Sequence, residues 1–338
     1  FKMLTIISGV LLMALTLVMF SAFSLKAPKG EEAMQGLAQA AVATFLVEAI
    51  HKYVNGELFG NLYLESLGSL FGQMGGPAAA ILVTLNMGVN PVYAVVAAIA
   101  TIDYGILPGF IAGYIIAFIA PYIEEKLPEG VNIIAGVLLI APLTRFITIS
   151  FAPLVDNTLV AIGQVISLAA EQSPYVMGFF LGGIIKIMCT SPLSSMALTA
   201  MINLQGLAMG IAAISSFAGA FTNGIVFDRL NLGDRSSVIS VMLEPLTQAD
   251  IITKNPLPVY LADFIGGGLG GLGAAYLGII NNASGTASPI PGMLAPFGFN
   301  PPAKVVFALV LAIIGGLIGG LAGVKIYKSL GKVRKSMQ

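Results

Sequence analysis

The sequence predicts an all-α polytopic membrane protein, a chain of helices that crosses a lipid bilayer many times. Two observations carry that expectation. Of 338 residues, 57% are hydrophobic and only 9% are charged, against about a quarter charged in an ordinary soluble domain. With a mean hydropathy of +0.93, one soluble core cannot hide the apolar surface, whereas a bilayer solvates it. The apolar residues are also gathered into runs, and a spanning helix needs about 20 of them. The 40 glycines suit close helix–helix contact in lipid. Trp is absent, so an interfacial belt falls to the 10 Tyr.

Leu4–Leu25 follows Lys2, which raises a signal peptide. The stretch is longer than the usual apolar core of roughly 7–15 residues, and Lys26 and Lys29 follow it directly. It reads as the first membrane helix. The chain begins with Phe1, so a few residues are expected upstream.

Ala33–Tyr53 is a further helix, less apolar and polar at its end. Glu57, Asn61 and Glu65 recur at four-residue spacing, which makes a polar stripe if they share one helix. Asn86, Asn90 and Pro91 interrupt Pro77–Ile102. Pro91 disfavours the helical region at Asn90, so two half-helices or one broken helix are expected. Tyr104–Ile123, Val131–Val155, Tyr175–Thr190, Gly206–Phe227, Leu257–Ile280 and Val305–Tyr327 are clean segments.

Ser191–Gln205 and Ser284–Asn300 are rich in Ser, Pro and Gly, and each holds a Ser-Pro. They lie on either side of the polar connection Asp228–Asn255. Irregular backbone at membrane depth is tolerated only where it is buried in protein or lines a polar cavity. Paired broken segments are therefore a pointer to a transporter's binding site. Residues 191–205 and 284–300 are candidate re-entrant hairpins; the alternative is a pair of surface loops. The polar loop 228–255 is too short for a soluble domain, so 1–338 reads as a single membrane domain. Lys325, Lys328, Lys332, Arg334 and Lys335 place the C-terminus in the cytoplasm.

Charges inside membrane segments cost about 2.5–3.5 kcal/mol each on insertion scales and ask for partners. Glu48 and Lys52 are four apart and can pair. His51, the one histidine, suits a solute hydroxyl or a proton relay, or a polar helix end. Arg145 needs a carboxylate, a carbonyl or a phosphate; Asp103 and Asp263 are the candidate carboxylates, for a structural ion pair or for coupling. Lys186 reads as a snorkelling lysine. Asp263 precedes the glycine run Gly266–Gly273, which fits tight packing better than a phosphate loop because no strand precedes it. One His and one Cys cannot build a zinc site. No cofactor is expected, and the sequence has no Walker motif, so an ATP-driven pump would need a partner ATPase.

Thr190–Phe227 reads TSPLSSMALTAMINLQGLAMGIAAISSFAGAFTNGIVF, and Val238–Pro256 reads VISVMLEPLTQADIITKNP. With the SGTASPIPGMLAPFGF stretch, these segments resemble enzyme IIC, the membrane component of the bacterial phosphotransferase system, in its perfringolysin O regulator type. The resemblance is closest from Val131 onward. It implies about ten transmembrane segments with two re-entrant hairpins, a homodimer and a bacterial inner-membrane location. It also implies a sugar or sugar-like solute carried by alternating access. Phosphoryl transfer would need a separate IIB partner.

A sugar site needs paired donors and acceptors beside an apolar face. Ser194, Ser195, Asn203 and Gln205 on the first hairpin supply such groups, as do Glu244, Gln248 and Asp250 in the polar loop. Asn223 faces inward if its helix packs through Ser215, Ser216 and Gly219. The alternative for the Ser and Asn residues is capping of free backbone groups. Two other functions stay open: a non-transporting sensor or regulator, and an ion-coupled transporter using Asp103, Glu48 or Asp263.

Overall fold

The computed structural model describes residues 2–128, 130–191 and 195–336, and every regular element among them is helical. The chain divides into two compact units. One comprises Phe1–Leu17, Gly163–Ser195 and Leu204–Gln338, the other Val18–Ile162 and Met196–Asn203.

The second unit begins in the latter part of α1 (Lys2–Lys26) and continues with α2 (Gly30–Ala41). Beyond α2 the helix widens into π-helical turns over Val42–Leu46 and Ala49–Leu58. Helix α3 (Leu62–Gln73) packs on the wide turns, and a Cβ on Gly72 would overlap the Glu48 carboxylate. The expected stripe of Glu57, Asn61 and Glu65 is not one helix face. The chain turns at Gly60 (φ 74°), and Asn61 caps α3 by accepting the Leu64 N–H at 3.1 Å.

Helices α3 and α4 (Gly75–Asn86) meet at 55°, as a broken span or a re-entrant loop. The break at Pro91 lies where the sequence puts it. Helix α5 (Pro91–Ala100) starts there, with Asn90 accepting the Val92 N–H at 3.0 Å. Helix α6 (Ile106–Lys126) buries Phe110 against Phe23, and Tyr114 donates to the Pro28 carbonyl at 2.8 Å. Helix α7 (Val131–Gln172) outruns the expected Val131–Val155 segment. Pro142 and Pro153 lie inside it without ending it, and its 42 residues make about 63 Å of helix.

In the first unit, α8 (Pro174–Thr190), α10 (Gly206–Leu230), α13 (Pro256–Leu277) and α15 (Pro302–Ser336) pack together. Helix α10 is the centre: 89% of its apolar window is buried, against 39% for α15. Small residues allow this approach, since a Cβ on Gly319 would overlap the backbone of Gly266. The short helix α9 (Ser195–Met201) follows α8 in sequence and, from Met196 on, belongs to the second unit.

The polar connection is folded into α11 (Arg235–Leu243), a 3-10 turn at Pro245–Gln248 and α12 (Ala249–Lys254). Asp234 caps α11 through the Ser237 N–H at 2.8 Å. Val241 and Ile252 dock the connection onto Phe227, Val259 and Val324. Helix α14 (Pro289–Leu294) and a 3-10 turn at Ala295–Gly298 precede α15.

Among the described residues, six helices are long and apolar enough to cross a bilayer, or seven if the bent α3–α4 pair is one span. Helix α8 has 17 residues, short of the roughly 20 that a span needs. Helix α13 is diluted by its glycines and Asp263.

Candidate functional site

Four side chains from three helices meet inside the first unit. Lys186 and Thr190 are four apart on α8, so both face the same way. The Lys186 ammonium donates to Thr190 Oγ1 at 2.7 Å and lies 3.7 Å from Asp263 Oδ1 on α13. Both charged side chains are fully buried. Asn223 on α10 completes the group. Its amide orientation follows from its neighbours: Nδ2 donates to Asp263 at 2.9 Å, and the oxygen accepts from Lys186 at 3.0 Å.

Glycine makes room for this lysine. A Cβ on Gly219 or Gly267 would overlap the Lys186 side chain. The glycine run of α13 thus serves packing, and admits the lysine stem. Asp263 Oδ2 is buried with no hydrogen-bond partner among the described residues, as is Ser215 Oγ.

Glu244 lies nearby in the same unit. It terminates α11 and caps the 3-10 turn through the Leu246 N–H at 3.4 Å. Its other oxygen accepts from the Ser288 hydroxyl at 3.0 Å. Burial pushes the Glu244 carboxyl above its ordinary range, against the opposing pull of the Ser288 hydroxyl, the Leu246 N–H and the Lys186 charge. The Ser195 hydroxyl donates to the Ala287 carbonyl.

Local turns fix residues 281–288. Asn281 Oδ1 accepts the Ala283 N–H at 2.9 Å, and its Nδ2 donates to Thr286 Oγ1 at 2.8 Å. The Ser284 hydroxyl then ties the segment to the Leu204 carbonyl at 2.8 Å.

The structure brings together only part of the set read from the sequence. Glu244, Ser195, Asn223 and Asp263 lie in the first unit, the last two in direct contact. Gln205 is there too, exposed, at the N-terminus of α10. Gln248 turns back onto the Thr247 carbonyl at 2.9 Å, and Asp250 is exposed in the first turn of α12. Ser194 lies outside the described residues. Asn203 is exposed at φ 48° and belongs to the second unit.

His51, Glu48, Asp103 and Arg145 also belong to the second unit. His51 Nδ1 is 3.2 Å from the Asn55 amide, and Glu48 pairs with Lys52 at 3.2 Å. Of the carboxylate, carbonyl and phosphate partners open to Arg145, the structure shows carbonyls, and the candidate carboxylates Asp103 and Asp263 are corrected. The guanidinium donates to the carbonyls of Ile102 at 2.8 Å and Ala100 at 3.2 Å, and it sits over the Tyr104 ring. The last carbonyls of a helix have no intrahelical donor, and Arg145 satisfies that of Ala100 at the end of α5 together with that of Ile102 in the turn beyond it. Asp103 is left exposed beside them, at φ 71°.

Sequence reasoning missed Lys186, Thr190 and Ser288. Lys186 is not a snorkelling residue, because no part of it reaches solvent. The available signal was a lysine on one apolar helix and an aspartate on another, each needing a partner of opposite charge.

No curated protein and no solved structure matches the chain significantly. A family match does exist, described as "Phosphotransferase system, EIIC", and it covers residues 31–338. That span holds every helix except α1 and the first residue of α2, and includes both polar groups of the first unit. The chain belongs to the phosphotransferase system EIIC family, as a multi-pass membrane protein of the bacterial inner membrane.

Proposed function

We propose that the protein binds a sugar or sugar-like polar solute and carries it across the inner membrane by alternating access, as the transport component of a phosphotransferase system. One observation supports this above the rest. Glu244 is a part-buried carboxylate held, among the described residues, by one hydroxyl and one long N–H contact, while a carboxylate has room for about four hydrogen bonds. Its remaining acceptor capacity suits solute hydroxyls. Ser288 sets its orientation, and Ser195 belongs to the same site.

Residues 191–205 and 284–300 act as the two re-entrant hairpins, with α8 and α13 adding to the six long spans toward a total of about ten. The protein works as a homodimer, and a separate IIB protein supplies any phosphoryl transfer. The finer resemblance to the perfringolysin O regulator type supports a second reading, a sensor that binds the same solute without moving it. Solute flux into vesicles separates the two.

The first experiment is a thermal-shift panel of sugars, polyols and organic acids on the purified protein. A ligand that binds only the native state raises the melting temperature as its concentration passes Kd. The expected result is a hit among the polyhydroxylated ligands that Glu244→Gln abolishes. A hit that keeps its full affinity in that variant overturns the assignment of Glu244.

A further inference from the structure

We propose that the cleft where the C-terminal ends of α10 and α15 come together is a binding site for an anionic phospholipid, its phosphate held by Arg229, Lys325 and Lys328. The cleft has a volume of about 470 Å³ and is lined by those three cations with Leu321, Val324 and Ser329. Two features choose a lipid over other anions.

The first is position. Arg229 stands at the end of the apolar span Gly206–Leu230, and Lys325 and Lys328 stand in the last turns of Pro302–Leu330. The cations therefore sit where spanning helices leave the hydrocarbon. Basic clefts between such helices suit anionic headgroups.

The second is the division of the lining. Leu321 and Val324 lie on α15 nearer the middle of the span than Lys325 and Lys328. An apolar floor under a charged rim matches an acyl chain beneath a phosphate, and a small inorganic anion has no use for the floor.

The charges are available to a ligand. Arg229 and its neighbour Asp228 are 3.9 Å apart and both largely exposed, so their pair is weak. Lys328 reaches the Arg229 carbonyl at 3.4 Å and is exposed, and its ammonium has further protons to donate. Even with Asp228 counted, positive charge is in excess. A phosphodiester accepts hydrogen bonds from all three cations and neutralises that excess. This site is separate from Glu244 and does not depend on the solute reading.

The test is native mass spectrometry of the full chain, titrated with phosphatidylglycerol and, separately, phosphatidylcholine of the same chain length. Phosphatidylglycerol is expected to bind in preference. Replacing Arg229, Lys325 and Lys328 together by Ala should weaken it on the order of 100-fold, at about one kcal/mol for each basic residue near an anionic lipid. The exposed pair Arg235→Ala and Lys254→Ala, outside the cleft, should leave it unchanged.

Equal binding of the two lipids to the wild-type chain overturns the proposal without any variant. An equal loss from the control pair also overturns it, because the effect is then general surface charge. Full displacement of phosphatidylglycerol by inorganic phosphate at matched concentration assigns the cleft to free phosphate and rejects the lipid.

Discussion

Replacing Lys186 by Met tests the buried polar group of the first unit. Met has nearly the volume of the lysine stem, so the change removes charge with little cavity. Lys186 and Asp263 are both fully buried, 3.7 Å apart. At an effective dielectric near 20, charges at that separation attract by about 4.5 kcal/mol. Desolvation of both ions opposes that attraction, so the net worth of the pair is much smaller.

The single variant does not recover the desolvation of Asp263. It leaves a carboxylate in the core with one oxygen already lacking a partner among the described residues and neutral groups, the Asn223 amide first, to meet the other. Breaking one side of a buried pair costs about 3–5 kcal/mol. At roughly 2–4 °C per kcal/mol, the melting midpoint falls on the order of 10 °C. The assay is the midpoint of monodisperse protein surviving a temperature series, read by size-exclusion chromatography. The double variant Lys186→Met with Asp263→Asn removes both charges and keeps an amide against Asn223, so it should regain most of the loss. The reasoning is refuted if Lys186→Met shifts the midpoint by no more than a surface substitution does. It is refuted equally if the double variant is no better than the single one.

Glu244 titrates above 4.5 because burial penalises its charged form. The folded state therefore holds this proton to higher pH than the unfolded chain does. The stability that comes from this group is complete below 4.5 and is lost as pH rises through the folded value. Solute binding, which needs the carboxylate, runs the opposite way and weakens as pH falls through the same value. Glu244→Gln should flatten both dependences, and affinity that is constant from 4.5 to neutrality in the wild type contradicts the assignment. In the second unit, Arg145→Leu frees two carbonyls, at the end of α5 and in the turn beyond it, and should cost about 2 kcal/mol. Asp103→Asn, at an exposed carboxylate, should change stability by less than about 0.5 kcal/mol. Thermal midpoints check the order, and the reverse ranking refutes the carbonyl assignment.

The contrast between Arg145 and Lys186 separates what was legible in the sequence from what was not. The apolar runs and the break before Pro91 are local, so they could be read directly. The widening of α2 into π-helical turns, where Gly68 and Gly72 of α3 lie against Lys52 and Glu48, has no such signature. Partners of intramembrane cations are harder still, because opposite charge is the only cue that sequence offers. Yet Arg145 meets the end of α5, Lys29 the Met87 carbonyl at the end of α4 at 2.7 Å, and Lys304 the Gly278 carbonyl at the end of α13 at 3.0 Å.

All three cations sit at helix C-termini, where unpaired carbonyls and the negative end of the helix dipole favour them. A backbone carbonyl has no letter in the sequence, so for Arg145 a carbonyl could be named only as a kind of partner, while Asp103 and Asp263 could be named as residues. Lys186 differs because it lies before the end of α8, with its stem sunk between Gly219 and Gly267. Its charge is met by Thr190, Asn223 and Asp263. A helix end can be capped by water if its cation is lost, whereas Asp263 has no such recourse. That asymmetry is why losing Lys186 should cost more than losing Arg145, although both are single cations in apolar helices.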